Sequence, residues 1–251
     1  NYGGNFSLDT GLQWPQDGDS GIEEIHPADI DLDGDVDLVT LSEDSVRIYV
    51  NDHANGGADT FTEDTEVRLP ADPARGDIIS LAVGDLDSDL HPDIYVVNEH
   101  LGDRILLNRG YPNTPWLEDE RMPPGHFALN TQMRLPETDT KAQDLAFGDI
   151  DDDGDLDIVK CAFGSPLSVH VNEGSGYFTD ESDTRVDFAV YECTVKGLEL
   201  ADMDGDGDLD LVVDQIYEDC SDGHCSGAVV LLLNDGQGVF SVSNHSNFGS
   251  S

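Results

Sequence analysis

Positive charge is scarce in this chain. Lysine and arginine together number 11 in 251 residues, against 54 aspartates and glutamates, for a formal charge of −43. A surface so acidic repels phosphate backbones and anionic bilayers, which excludes nucleic acid as a partner and argues against anionic membranes. No apolar run approaches the roughly 20 residues that cross a bilayer, so no membrane insertion is expected. The chain starts at Asn1 with neither an initiator Met nor an apolar leader, as expected of a chain whose leader has been removed or of part of a longer one. Catalytic signatures are also missing. There is no Gly-x-Ser-x-Gly elbow, no His-Glu-x-x-His pair and no Gly-Lys-Ser phosphate cradle, and the eight histidines are scattered. Acid pairs are too common here to indicate glycosidase chemistry.

Cysteine is sparse but even in number: Cys161, Cys193, Cys220 and Cys225. In an oxidising compartment two disulfides are expected, with Cys161–Cys193 and Cys220–Cys225 the favoured pairing; free thiols and a Cys220/His224/Cys225 zinc site are weaker alternatives. Asn5-Phe6-Ser7 and Asn244-His245-Ser246 are possible glycosylation sequons.

What the chain has instead is aspartate at fixed intervals. Asp29, Asp31, Asp33, Asp35 and Asp37 form one run; Asp85, Asp87, Asp89, His91 and Asp93 form the next. The pattern returns as Asp149, Asp151, Asp153, Asp155 and Asp157, and as Asp202, Asp204, Asp206, Asp208 and Asp210. Every copy has Asp at loop positions 1, 3, 5 and 9. Solvation alone does not impose such a register, whereas a doubly charged ion among the carboxylates does. All-oxygen ligands on a short loop suit Ca²⁺ before Mg²⁺. The side chains of positions 1, 3, 5 and 9 would supply oxygens, and position 7 (Asp35, His91, Asp155, Asp208) its carbonyl. Gly at position 6 eases the turn in three copies, but the second has Leu90 there. An EF-hand is excluded, because it needs Glu at position 12, where this chain has Thr40, Val96, Lys160 and Val213. Four ions would cancel only a small part of the charge of −43.

The loops mark a repeat of 53 to 64 residues. A short apolar run precedes each loop, as in Ile78-Ile79-Ser80-Leu81-Ala82-Val83, and a β-branched run follows, as in Ile94-Tyr95-Val96-Val97. A third run ends in Asn (Asn51, Asn108, Asn172, Asn234), then turn residues lead to an aromatic (Phe61, Phe127, Phe178, Phe240) that opens a fourth. Four short strands joined by turns read as an antiparallel blade, and stacked blades of this length make a β-propeller. The fold class expected is therefore all-β, a β-propeller of four-stranded antiparallel blades with four repeats and one calcium loop per blade. A single domain spans 1–251, with repeats at 21–70, 76–136, 141–188 and 195–248. Residues 1–16 resemble the fourth strand of repeat two and would be the outer strand of a preceding or last blade. That strand could close a four-bladed ring, link chains head to tail, or belong to a larger propeller.

The succession of strand, Gly-Asp, acidic loop, Asp-Leu-Val strand and Asn-x-Gly-x-Gly-x-Phe turn resembles the FG-GAP/VCBS repeat family, which includes the calcium-bearing blades of integrin α-subunit propellers. The resemblance runs from about Gly21 to Phe240. It implies side-chain ligation by positions 1, 3, 5 and 9, up to four Ca²⁺, and a secreted or cell-surface module for recognition, adhesion or assembly, without catalysis. Its partner would be a protein or glycan of the cell surface or matrix, with self-assembly through terminal strands a further possibility. The alternative is a propeller-scaffold polysaccharide lyase or hydrolase, for which 11 basic residues offer little to neutralise an acidic sugar. Trp14, Trp116, Tyr111 and Tyr177 could stack on sugar rings, and the long irregular segment 108–127 is the candidate recognition loop.

Overall fold

Alternating apolar and polar residues between turn-forming clusters fold into four antiparallel sheets, each of four strands. The computed structural model describes residues 21–42, 45–51, 61–70, 78–98, 102–108, 125–129, 134–136, 142–162, 167–186, 194–216 and 227–243. The expected outer strand at 1–16, both sequons, Cys193, Cys220, Cys225, Trp14, Trp116 and Tyr111 lie outside the described residues.

The first sheet comprises β1 (Ile22–Ala28), β2 (Asp37–Ser42), β3 (Ser45–Asn51) and β4 (Phe61–Glu63), followed by the one-turn helix α1 (Thr65–Arg68). The second comprises β5 (Ile78–Gly84), β6 (Asp93–Asn98), β7 (Arg104–Asn108) and β8 (Phe127–Leu129). The third holds β9 (Ala142–Gly148), β10 (Asp157–Ala162), β11 (Ser168–Asn172) and β12 (Phe178–Asp180), then α2 (Ser182–Arg185). The fourth holds β13 (Thr194–Ala201), β14 (Asp210–Ile216), β15 (Gly227–Asn234) and β16 (Phe240–Val242). Strand order within each sheet is the order in the chain, so every sheet is a meander. The acidic loop is always the connection between first and second strands.

Successive residues of a strand point to opposite faces, and the second strand of each inner sheet is apolar on both. On β6, Ile94 and Val96 pack toward the first sheet, with Val39, Leu41 and Ile48; Tyr95 and Val97 pack toward the third, with Ile158 and Phe178. On β10, Val159 and Cys161 join Leu211, Val213 and Phe240 of the fourth sheet. The sheets therefore stack face to face in chain order, as blades do. The inner strands β1 and β5, β5 and β9, and β9 and β13 touch in turn, and among the described residues no comparable contact joins β13 to β1. Position 2 of the fourth acidic loop differs from the other three. Ile30, Leu86 and Ile150, at position 2 of the first three loops, are buried against the following blade, whereas Met203 is 47% exposed.

One interface is not purely apolar. Lys160, fully buried on β10, places Nζ 2.6 Å from Asp103 Oδ2, and the buried Tyr95 hydroxyl donates to the same oxygen at 2.7 Å. Burial, with Asp103 beside it, pushes the Tyr95 phenol well above its ordinary range. Burial, with Lys160 nearby, holds His170 down to about 4, so its imidazole is neutral at physiological pH. A buried ion pair is costly to break from one side, because the remaining charge is stranded. Lys160→Ala is expected to lower unfolding free energy by about 3 kcal/mol, read by urea denaturation. Stability within a few tenths of wild type would show that Asp103 is hydrated instead.

Candidate metal centre

The four acidic loops share one backbone shape. Positions 4 and 6 take positive φ in every copy: Leu32 and Gly34 (59° and 97°), Ser88 and Leu90 (60° and 69°), Asp152 and Gly154 (60° and 95°), Gly205 and Gly207 (84° and 106°). All described non-glycine residues with positive φ lie in these loops. Left-handed backbone at a residue such as Leu90 costs about 1–2 kcal/mol, and strain concentrated in one repeated element points to function. The second loop, lacking its glycine, keeps the geometry of the others.

The shape gathers carboxylates. Asp29, Asp31 and Asp33 bring one oxygen each to within 4.8 Å of one another, as do Asp202, Asp204 and Asp206. In the second and third loops the converging sets are Asp85, Asp87 and Asp93, and Asp149, Asp151 and Asp157. Position 5 thus completes the set in two loops and position 9 in the other two. The position 7 side chains point elsewhere: Asp155 Oδ1 accepts the Ser88 hydroxyl at 2.6 Å, and His91 turns to the Asp89 carbonyl at 2.9 Å. The Asp35 side chain is not among the converging oxygens of its loop, and the Asp208 carboxylate lies against Gly236.

Position 9 has a role that spacing did not indicate. Each of these buried aspartates accepts two backbone N–H bonds, one from position 2 of its own loop and one from the Asn that ends the third strand. Asp157 accepts from Ile150 (3.1 Å) and Asn172 (2.8 Å); Asp93 from Leu86 (3.0 Å) and Asn108 (2.7 Å). Asp37 accepts from Ile30 and Asn51, and Asp210 from Met203 and Asn234. The carboxylate closes the loop onto the sheet before any ion is considered. The same Asn then reaches the preceding blade: Asn108 Nδ2 donates to the Ile30 carbonyl (2.7 Å), Asn172 Nδ2 to Leu86 (3.0 Å) and Asn234 Nδ2 to Ile150 (2.7 Å).

Sequence reasoning also missed three arginines. Arg68 pairs with Asp31 at 2.9 Å, Arg134 with Asp87 at 3.5 Å and Arg185 with Asp151 at 3.1 Å, so each holds one oxygen of a position 3 carboxylate. The signal was present, since each stands seven residues beyond the aromatic of its fourth strand (Phe61, Phe127, Phe178). The other oxygen of Asp31 and of Asp151, Oδ1, is buried without a hydrogen-bond partner, as is Asp29 Oδ1. A buried carboxylate oxygen facing other carboxylates costs free energy unless a cation answers it. The donor set, all oxygen on a loop of alternating left-handed turns, fits a hard divalent ion such as Ca²⁺.

Electrostatics agree. Burial pushes Asp93 up to about 8, Asp157 up to about 7 and Asp37 up to about 6, partly offset by the backbone bonds each accepts. Burial also raises Asp31, against the pull of Arg68. An acid whose folded pKa is raised binds its proton more tightly in the fold than in the open chain. Without a divalent ion, stability is therefore expected to fall as pH rises from about 4, the open-chain value, toward the folded values, and then to level off. In chelator, the unfolding temperature should be higher at pH 5 than at pH 8, and the gain on adding Ca²⁺ larger at pH 8. Calorimetry at the two pH values checks this, and a higher chelated melting temperature at pH 8 would contradict it.

An all-β chain of four-stranded antiparallel sheets, stacked in sequence with an acidic loop on each first hairpin, defines the class: blades of the propeller type. Residues 4–96 match a family model described as an FG-GAP-like repeat. No curated protein matches the sequence. Among solved structures, a lectin from Agrocybe aegerita, determined for its specific recognition of non-reducing terminal N-acetylglucosamine, superposes with a TM-score of 0.56 at 20% identity. The match covers 92% of this chain and 54% of the lectin, so the chain spans about half the lectin's length. The V. cholerae biofilm matrix protein Bap1 gives a TM-score of 0.40 at 16% identity, over 87% of this chain and 27% of Bap1, a level that carries no argument about fold. Among the described residues no helix is long and apolar enough to cross a membrane.

Tyr177 is the one suggested sugar-stacking residue among those described. It is half exposed, with the Arg134 guanidinium 5.1 Å from its ring centroid, so a cation already covers one face. Cys161 is buried.

Proposed function

We propose that the protein is an extracellular, non-enzymatic recognition or assembly module whose blades are stabilised by Ca²⁺ in the acidic loops, with a carbohydrate or protein as its ligand. The observation that carries the cation reading is the set of buried oxygens without a hydrogen-bond partner on Asp29, Asp31 and Asp151, each in a cluster of converging carboxylates. High free Ca²⁺ outside cells suits loops of weak to moderate affinity. The fold shared with a glycan-recognising lectin supports carbohydrate as the first ligand class to test. Fold alone does not convey function, so the ligand must be found by experiment.

Isothermal titration of the chelated protein with Ca²⁺ tests the first part, and heat indistinguishable from dilution would defeat it. A glycan array probed in Ca²⁺ and again in chelator tests the second. Calcium-dependent binding to a defined glycan supports recognition, and a blank array together with no retained surface protein removes it. Polysaccharide cleavage by the calcium-loaded protein would favour the enzymatic alternative.

A further inference from the structure

Each of the three arginines has two edges in use. One edge holds the position 3 carboxylate of its own blade, as described for Asp31, Asp87 and Asp151. The other lies on the turn that enters the outer strand of the next blade. Arg134 Nη1 donates to the Ser175 carbonyl at 2.5 Å, and Arg185 Nη1 donates to the Gln237 carbonyl. At these turns Gly125, Gly176 and Gly238 have positive φ, and a Cβ added to any of them would collide with the guanidinium of Arg68, Arg134 or Arg185. Two arginines are further pinned by an acid four residues before them, Arg68 Nε on Asp64 at 2.9 Å and Arg185 Nε on Glu181 at 2.7 Å. The arrangement recurs at all three blade junctions. The fourth loop differs: Asp204 is exposed, and among the described residues no cation pairs with it.

We infer that Arg68, Arg134 and Arg185 are positioning residues through which a dication held in one blade's loop rigidifies the entry turn of the next blade. This rests on the cation reading above and adds to it a direction of transmission. In an empty loop the position 3 carboxylate is repelled by its neighbours, and Oδ1 of Asp31 and of Asp151 is buried with no hydrogen-bond donor. A cation on that oxygen fixes the carboxylate, which then offers the guanidinium a fixed acceptor. A planar fork with donors on both edges passes the constraint to the carbonyl beyond. Lysine, a single point donor, cannot span both partners. Loops 1 to 3 are thereby coupled to a following blade, and loop 4 is not.

Hydrogen exchange of the full chain, in chelator and in CaCl₂, tests the inference on the Arg185 junction. In the wild type, Ca²⁺ should slow exchange both in loop 149–157 and in turn 235–240 of the next blade. In Arg185→Met the loop should still respond, while the Ca²⁺-dependent slowing of the turn falls about tenfold. Arg185→Lys keeps the charge and the aliphatic stem, guards against a variant that fails to fold, and should show the same loss. A purely structural arginine would weaken the turn equally with and without Ca²⁺, leaving the difference intact, and that result overturns the inference. So does a wild-type turn indifferent to Ca²⁺ while its loop responds. A loop 149–157 unresponsive in the wild type overturns the cation reading itself, and the coupling with it.

Discussion

Saturating Ca²⁺ should raise the thermal unfolding midpoint of the chelated protein by about 10 °C or more. An ion that binds the folded loop and not the open chain stabilises by about 2.7 kcal/mol per site at a hundredfold excess over its dissociation constant. For a domain of this size each kcal/mol moves the midpoint by about 2–4 °C, so two or three occupied loops suffice. The physical source is removal of repulsion among carboxylates that the fold holds within 4.8 Å of one another. Mg²⁺ should give a smaller gain, because it demands near-octahedral geometry at about 2.0–2.1 Å and sheds water reluctantly. Calorimetry in chelator, CaCl₂ and MgCl₂ at one ionic strength separates specific binding from screening. Equal shifts for the two ions, or none, would show that the loops do not select Ca²⁺.

Replacing Asp157 by alanine should be the most damaging single change in any acidic loop. Its two oxygens satisfy the buried N–H groups of Ile150 and Asn172, and the side chain is fully buried. Removal leaves two buried donors unanswered, at about 1–3 kcal/mol each, with a cavity besides. A loss of about 3–5 kcal/mol is expected even in chelator. Asp153→Ala is the contrast. Asp153 is exposed and accepts only the neighbouring Asp155 N–H at 3.0 Å, so its loss should cost little in chelator. The pair of variants, melted with and without Ca²⁺, distinguishes the aspartate that builds the loop from one that lies outside its converging set. Equal costs for the two in chelator would contradict the role assigned to Asp157.

These two residues also show how far spacing alone can be read. Asp153 and Asp157 look alike in the sequence, both being inward members of a periodic run. Their difference lies in where the hairpin brings Asn172, a residue on the third strand that has no place in a local pattern. The arginines make the same point. Arg68, Arg134 and Arg185 stand at a constant offset from an aromatic, so a regularity was visible, but the offset does not say what a guanidinium faces. Their partners come from two blades at once. Lys160 was legible only as the wrong residue for an EF-hand, and its pairing with Asp103 depends on a neighbouring sheet.

The sequence by itself determined the strands, their antiparallel pairing and the four acidic loops. Alternation along a strand, turn chemistry and like-charge crowding are local quantities that survive without a fold. The tertiary structure alone decided which carboxylates converge, which one closes the loop, and that Asn and Arg side chains join loops 1 to 3 to the following blade. Those are distances between groups far apart in the chain, and only the stacking of one sheet on the next fixes them.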